Sequence, residues 1–250
     1  KALTLQELSM PEVVANLCKQ TQGMILVTGK TGSGKSTTLA AMIDAINKRL
    51  KGHIITIEDP IEFVHDRQNC LISQREVGRH TNNFAAALHS ALREDPDVIP
   101  VGELRDLETI SAAVTAAEMG ILVMGTLHTN GAAQTVDRII NSFPAEKQAH
   151  IRTMLSTSLR GVISQQLLPK KDKSGRLAAL EIMVNTPAVA NQIRQGKLEQ
   201  LETSMQSGKR AGMQTMDTAL MNLVEENQVS ALDAYQHANN KVNFKALIED

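Results

Sequence analysis

Residues 29–37 read GKTGSGKST, and glycine, lysine and hydroxyl residues at this spacing can hold a chain of phosphates. Gly29, Gly34, Lys35 and Ser36 fall on the fixed positions of G-x-x-x-x-G-K-[ST]. Thr31, Gly32, Ser33 and Gly34 can wrap backbone N–H groups around phosphate oxygens, since small residues let the chain approach closely and the following helix N-terminus adds its dipole. Lys35 is placed to reach the β- and γ-phosphates and the Ser36 hydroxyl to sit on Mg2+, with Thr37 beside them. A glycine-rich turn without a ligand is the competing interpretation. It is disfavoured because an apolar strand-like run precedes the loop and a helix-like pattern follows it. The chain is therefore expected to bind a nucleoside triphosphate.

Phosphoryl transfer further requires a held metal ion, an aimed water and compensated charge. Three segments offer groups for this. TIEDPIEF places Glu58, Asp59 and Glu62 directly after one apolar run, VIPVGELRD places Glu103 after another, and GTLHTN places His128 after a third. Any one of these acids could be a solvated turn or a helix cap, and His128 could be a hydrogen-bonded structural histidine. Three strand ends meeting at one phosphate loop favour a site. Arg93 in ALREDPD and Arg138 in TVDRII are candidates to compensate charge at a γ-phosphate, or else partners of neighbouring acids. His53, His65, His80, His89, His150 and His237 have no comparable setting. Lys170, Lys171, Lys173 and Arg176 read as a solvated loop.

The elements that must position these groups follow from periodicity. Short β-branched runs at 24–28, 53–57, 70–74, 97–102 and 121–127 alternate with helical patterns near 36–50, 84–93 and 107–119. Residues 144–168 look helical, 169–176 form a loop, 177–184 could be one more strand, and the remainder to Asp250 is helical. Apolar strands with helices between them imply an α/β fold whose mainly parallel sheet is buried on both faces, with ligands gathered at the carboxyl ends of the strands.

At 250 residues one large α/β domain, with at most a small appendage, can bury roughly 70–75% of its unfolded surface. A formal net charge of −1 and only four Phe, one Tyr and no Trp offer neither a polybasic surface nor a base-stacking platform, which counts against nucleic acid as a partner. Two isolated cysteines, Cys18 and Cys70, argue against a zinc site and fit a reducing cytosol. No run approaches the roughly 18 apolar residues of a membrane span, so a soluble, cytoplasmic protein is expected. The start at Lys1 rather than Met suggests that something upstream has been removed.

Together these segments resemble the type II/IV secretion ATPase superfamily. TIEDPIEFVH (56–65) is similar to its Asp box, VGELRD (101–106) to its Walker B and GTLHTN (125–130) to its His box. SALREDPD (90–97), QREVG (74–78), FPAE (143–146) and GMQT (212–215) are similar to its PilT/PilU branch of pilus-retraction motors. The likeness covers essentially the whole chain. It implies that Lys35 and Ser36 bind ATP and Mg2+, that Glu62 is the general base, and that Glu103 acts on metal or water.

The resemblance also implies a RecA-like P-loop core over 23–184, preceded by a linker and first helix over 1–22 and followed by a helical carboxy-terminal region over 185–250. An amino-terminal PAS-like domain, which would supply further arginines in trans, is not contained in these residues. A homo-hexamer at the inner-membrane face is implied, with an inner-membrane platform protein and a paralogous retraction ATPase as partners, meeting the membrane only through partners. Three departures stand out. Ile121 replaces the first of two usual His-box histidines, Pro100 interrupts the strand before Glu103, and AVANQI (188–193) only partly matches the branch's A-I-R-N-L-I element. Competing functions are an extension or secretion motor of the same superfamily, disfavoured by the lack of a tetracysteine element, a RecA-like nucleic-acid translocase, and a small-molecule kinase.

Overall fold

A computed structural model describes residues 1–248 of the chain. In chain order the elements are α1 (Glu12–Leu17), β1 (Gly23–Thr28), α2 (Lys35–Arg49), β2 (His53–Glu58), β3 (Leu71–Glu76), α3 (Phe84–Ala91), β4 (Val98–Val101), α4 (Leu107–Glu118) and β5 (Leu122–Leu127). They continue with α5 (Ala132–Asn141), α6 (Ala145–Ser158), β6 (Leu159–Pro169), β7 (Arg176–Val184), α7 (Pro187–Gln195), α8 (Leu201–Ser207), α9 (Met216–Glu225), α10 (Ala231–His237) and α11 (Val242–Ile248).

The seven strands form one sheet in the order β3-β2-β4-β5-β1-β6-β7. All neighbouring pairs are parallel except β6 with β7. The α/β fold read from the strand runs is therefore present. Side chains of β1 alternate between the two faces: Met24 and Leu26 join the core under α3, α4, α5 and α6, while Ile25 and Val27 join the core under α1 and α2. A strand with both faces covered must be apolar at every position. That is why MILVT shows no alternation. The carboxy-terminal stretch is helical as expected as far as Ile248; Glu249 and Asp250, also assigned to that region, lie outside the described residues.

One segment differs from its helical reading. Residues 145–158 are helical, but 159–169 form β6, which pairs parallel with β1 and antiparallel with β7. The reason is tertiary. The edge of β1 away from β5 has unpaired amides and carbonyls, and β6 satisfies them. Gly161 permits the approach, since a Cβ there would stand 2.9 Å from the Leu17 side chain. The expected loop shrinks accordingly, because Pro169 and Arg176 already pair.

Pro100 does sit within a central strand. The ladder from β4 to β5 runs through it, from Val98 opposite Leu122 to Val101 opposite Gly125, whereas pairing with β2 occurs only at Val98 and Val101. The missing N–H thus interrupts one ladder and leaves Glu103 at the end of a continuous other one.

Candidate active site

Because β5 lies between β1 and β4, the carboxyl ends of these strands bring the phosphate loop, His128 and Glu103 side by side. β2, on the far side of β4, adds Glu58, Asp59 and Glu62. A cavity of about 500 Å³ opens at these ends, lined by the loop residues Thr31, Gly32, Gly34, Lys35, Ser36 and Thr37 together with Glu58, Asp59, Glu62, Glu103 and His128.

The loop owes its shape to glycine. Gly34 immediately precedes α2 with φ of 88°, in the left-handed region that side chains disfavour. A Cβ on Gly29 would meet the Gln165 carbonyl oxygen and Ser33 Oγ, each at 2.5 Å. Gln165, in β6, also braces the loop from beneath: its Nε2 donates to the Ser33 carbonyl and its Oε1 accepts from Thr38 Oγ1 at 2.7 Å.

The Lys35 ammonium donates to the Gly29 carbonyl at 2.6 Å and lies 2.7 Å from His128 Nδ1. An ammonium can only donate, so Nδ1 accepts, and Nε2–H donates to Glu103 Oε1 at 2.9 Å. The other Glu103 oxygen accepts from Arg105 at 2.7 Å. Lys35, His128, Glu103 and Arg105 thus form one chain of alternating donors and acceptors. Burial pushes the Glu103 carboxyl up, but the hydrogen bond and charge of Arg105, with those of His128, outweigh it and hold the group below the ordinary carboxylate range. Burial lowers Lys35, against the opposing charge of Glu103.

The two glutamates of the β2 end differ. Glu58 Oε2 accepts from Thr56 Oγ1 at 2.7 Å and from Gln74 Nε2 at 3.0 Å. Glu62 is exposed and, among the described residues, its carboxylate has no hydrogen-bond or ion-pair partner. A water can therefore approach Glu62 without displacing another donor.

A nucleotide and Mg2+ fit this arrangement. Ser33 Oγ is buried with no partner among the described residues, and such an atom beside a phosphate loop suits a phosphate oxygen. No cluster of three or more metal-holding side chains occurs among the described residues. Mg2+ commonly takes one or two protein oxygens and draws the rest from substrate phosphates and water, and Ser36 and Glu103 line one cavity.

Arg93 and Arg138 do not join the others. Both are exposed and neither lines the cavity; Arg93 follows α3, and Arg138, on α5, donates to Ser142 Oγ at 3.3 Å. Three residues that the structure brings to the site were not singled out from sequence. Arg105, which pairs with Glu103, had as its only signal a cation two positions after that acid. Gln165 was hidden by the helical reading of its segment. Arg176 was placed in a solvated loop, yet as the first residue of β7 it lines the cavity wall.

The family described as Type II/IV secretion system protein matches residues 1–249. The chain is 55% identical over 244 residues to the type IV pilus retraction ATPase PilT of Pseudomonas aeruginosa, covering 98% of this chain and 71% of that protein. It is also 55% identical over 238 residues to a twitching motility protein of Neisseria gonorrhoeae, covering 95% and 64% respectively. The crystal structure of the pilus retraction motor PilT with bound ADP superposes with a TM-score of 0.92 at 47% identity, covering 100% of this chain and 70% of that one. The chain thus spans about two thirds of the length of these relatives.

Proposed function

As a member of the Type II/IV secretion system protein family, the chain is an ATPase of the pilus-retraction type, and we propose that it works as one subunit of a homo-hexameric motor whose ATP hydrolysis withdraws pilin subunits. The observation that carries this reading is the meeting of Lys35, His128 and Glu103 in one hydrogen-bonded chain beside Glu62, whose carboxylate has no partner among the described residues.

In this reading the phosphates of ATP draw the Lys35 ammonium away from the Gly29 carbonyl and His128 Nδ1. The amides of 31–34 and the first turn of α2 hold the phosphate chain. Glu62 accepts the proton of the attacking water. Glu103, kept ionised by Arg105 and oriented by His128, and Ser36 are the side chains that would hold Mg2+. That ion, when bound, supplies Lewis-acid neutralisation of phosphate charge. Arg93 or Arg138 of a neighbouring subunit adds compensating charge in trans, which in this reaction class can be worth about 10³–10⁵ in rate.

The reading divides the chain into a linker and first helix (1–22), a RecA-like core (23–184) and a helical carboxy-terminal region (185–250), with a PAS-like domain upstream. The motor would stand at the cytoplasmic face of the inner membrane and reach it through a platform protein, beside a paralogous retraction ATPase. No helix among the described residues is long and apolar enough to cross a membrane.

Deletion of the gene, scored for surface pili and twitching, tests the reading. Excess pili without movement are expected, whereas bald cells would assign the motor to extension. Loss of complementation by Lys35→Ala ties the phenotype to ATP turnover.

A further inference from the structure

Residues 59–70 leave the sheet after β2 and return to it at β3, and no regular ladder holds their first half. Two β3 side chains hold it instead. Glu76 Oε1 accepts from the Ile61 N–H at 3.4 Å, Gln74 Nε2 donates to the Phe63 carbonyl at 2.8 Å, and Gln74 Oε1 accepts from the His65 N–H at 2.9 Å. Gln74 and Glu76 are two apart on β3, and therefore share a face of that strand. They grip positions 61, 63 and 65. These three are half-buried, while the intervening Glu62 and Val64 are exposed, Val64 to 73%. The side-chain ladder thus imposes strand-like alternation of burial on a segment that pairs with no strand among the described residues, and it leaves Glu62 exposed at the cavity that Phe63 and His65 also line.

Gln74 makes a further contact in the same place. Its Nε2 also donates to Glu58 Oε2 at 3.0 Å, the oxygen that already accepts from Thr56 Oγ1. One amide therefore holds both sides of the loop and occupies the nearer glutamate, while the farther one has no partner among the described residues.

We propose that Gln74 is a positioning residue for ATP hydrolysis: by bridging Glu58, Phe63 and His65 it selects Glu62 over Glu58 as the carboxylate presented to the attacking water. This inference rests on the ATPase reading above. Gln74 does not line the cavity, so its effect passes through the loop. Its removal should leave nucleotide binding by residues 29–37 intact and lower the chemical step.

The test is Gln74→Met, which keeps side-chain length and removes every polar contact. It is measured on the protein at a concentration where turnover per chain no longer rises. Expected are a fall in kcat of about tenfold or more, affinity for a fluorescent ATP analogue within about twofold of wild type, and no further loss when Gln74→Met is added to Glu62→Gln, since residues acting as a unit are non-additive. Should Gln74→Met fail to fold, Gln74→Glu carries the same expectation, because it keeps the acceptor for His65 but loses the donor to Phe63 and Glu58. Wild-type turnover, parallel losses of affinity and kcat, or losses that add to those of Glu62→Gln would each overturn the assignment. If Glu62→Gln is inactive while Gln74→Met is unchanged, only this inference falls. If wild-type turnover is independent of Glu62, the reading of the active site falls with it.

Discussion

His128 stands between Lys35 and Glu103, with Nδ1 2.7 Å from the lysine ammonium and Nε2 2.9 Å from a Glu103 oxygen. One imidazole therefore joins the lysine of the G-x-x-x-x-G-K-[ST] loop to the acid that follows β4. A ligand that takes the lysine must also change what His128 Nδ1 binds, which links occupancy of the loop to the Glu103 carboxylate.

Lys35→Ala should remove ATP hydrolysis by at least about 100-fold, the scale for losing one charge-stabilising donor. Helix α2 tolerates alanine well, so the circular-dichroism spectrum should be retained. Turnover assays on the folded variant decide it, and wild-type rates would refute the phosphate-loop assignment.

Glu62→Gln should bind ATP yet lose hydrolysis, since the amide keeps the shape but cannot accept a proton from water. Glu58→Gln should lose less, because Glu58 is already committed to Thr56 and Gln74. Single-turnover kinetics on both variants separate the two carboxylates. The reverse order of losses would assign the base to Glu58.

Arg105 should set the acid limit of activity. Burial raises the Glu103 carboxyl, and Arg105 and His128 more than offset this. A carboxyl lowered in the folded state contributes stability above its unfolded pKa and loses it as pH falls through the folded value. Arg105→Met removes the main lowering influence. The acid limb of the kcat profile and of thermal stability should then both move to higher pH. Superimposable profiles would show that Arg105 does not tune Glu103.

Glu181 should matter for stability rather than chemistry. Its buried carboxylate accepts from the first amide of α5, Ala132, at 2.7 Å and from the first amide of α9, Met216, at 3.2 Å. Glu181→Ala leaves two buried N–H groups without an acceptor, at a cost of about 2–3 kcal/mol. Chemical denaturation measures it; a change under about 0.5 kcal/mol would mean that water replaces both bonds.

If Arg93 and Arg138 act between subunits, activity should rise faster than linearly with protein concentration, so that specific activity climbs until assembly is complete. Light scattering run beside the assay gives the mass at each point. A concentration-independent rate from a monomer would exclude a shared site.

What the sequence alone determined was local. The glycines, Lys35 and Ser36 of the phosphate loop, the apolar runs buried on both faces and the acids at their ends were all legible. Each depends on short-range backbone geometry or on burial that admits only apolar residues. The tertiary structure decided the rest. Nothing local announces that β5 lies between β1 and β4, yet that order alone brings His128 to both Lys35 and Glu103. Residues 159–169 become a strand because β1 has an open edge beside them, and this carries Gln165 under the loop and Arg176 to the cavity wall. Arg93 and Arg138, plausible by proximity in the chain, lie outside the cavity because Arg93 comes after the end of α3 and Arg138 is in the last turn of α5, each at the far end of a helix from the strand ends. Side-chain partnership across distant strands is a long-range property, and it distinguishes Glu58 from Glu62, which composition and spacing leave equivalent.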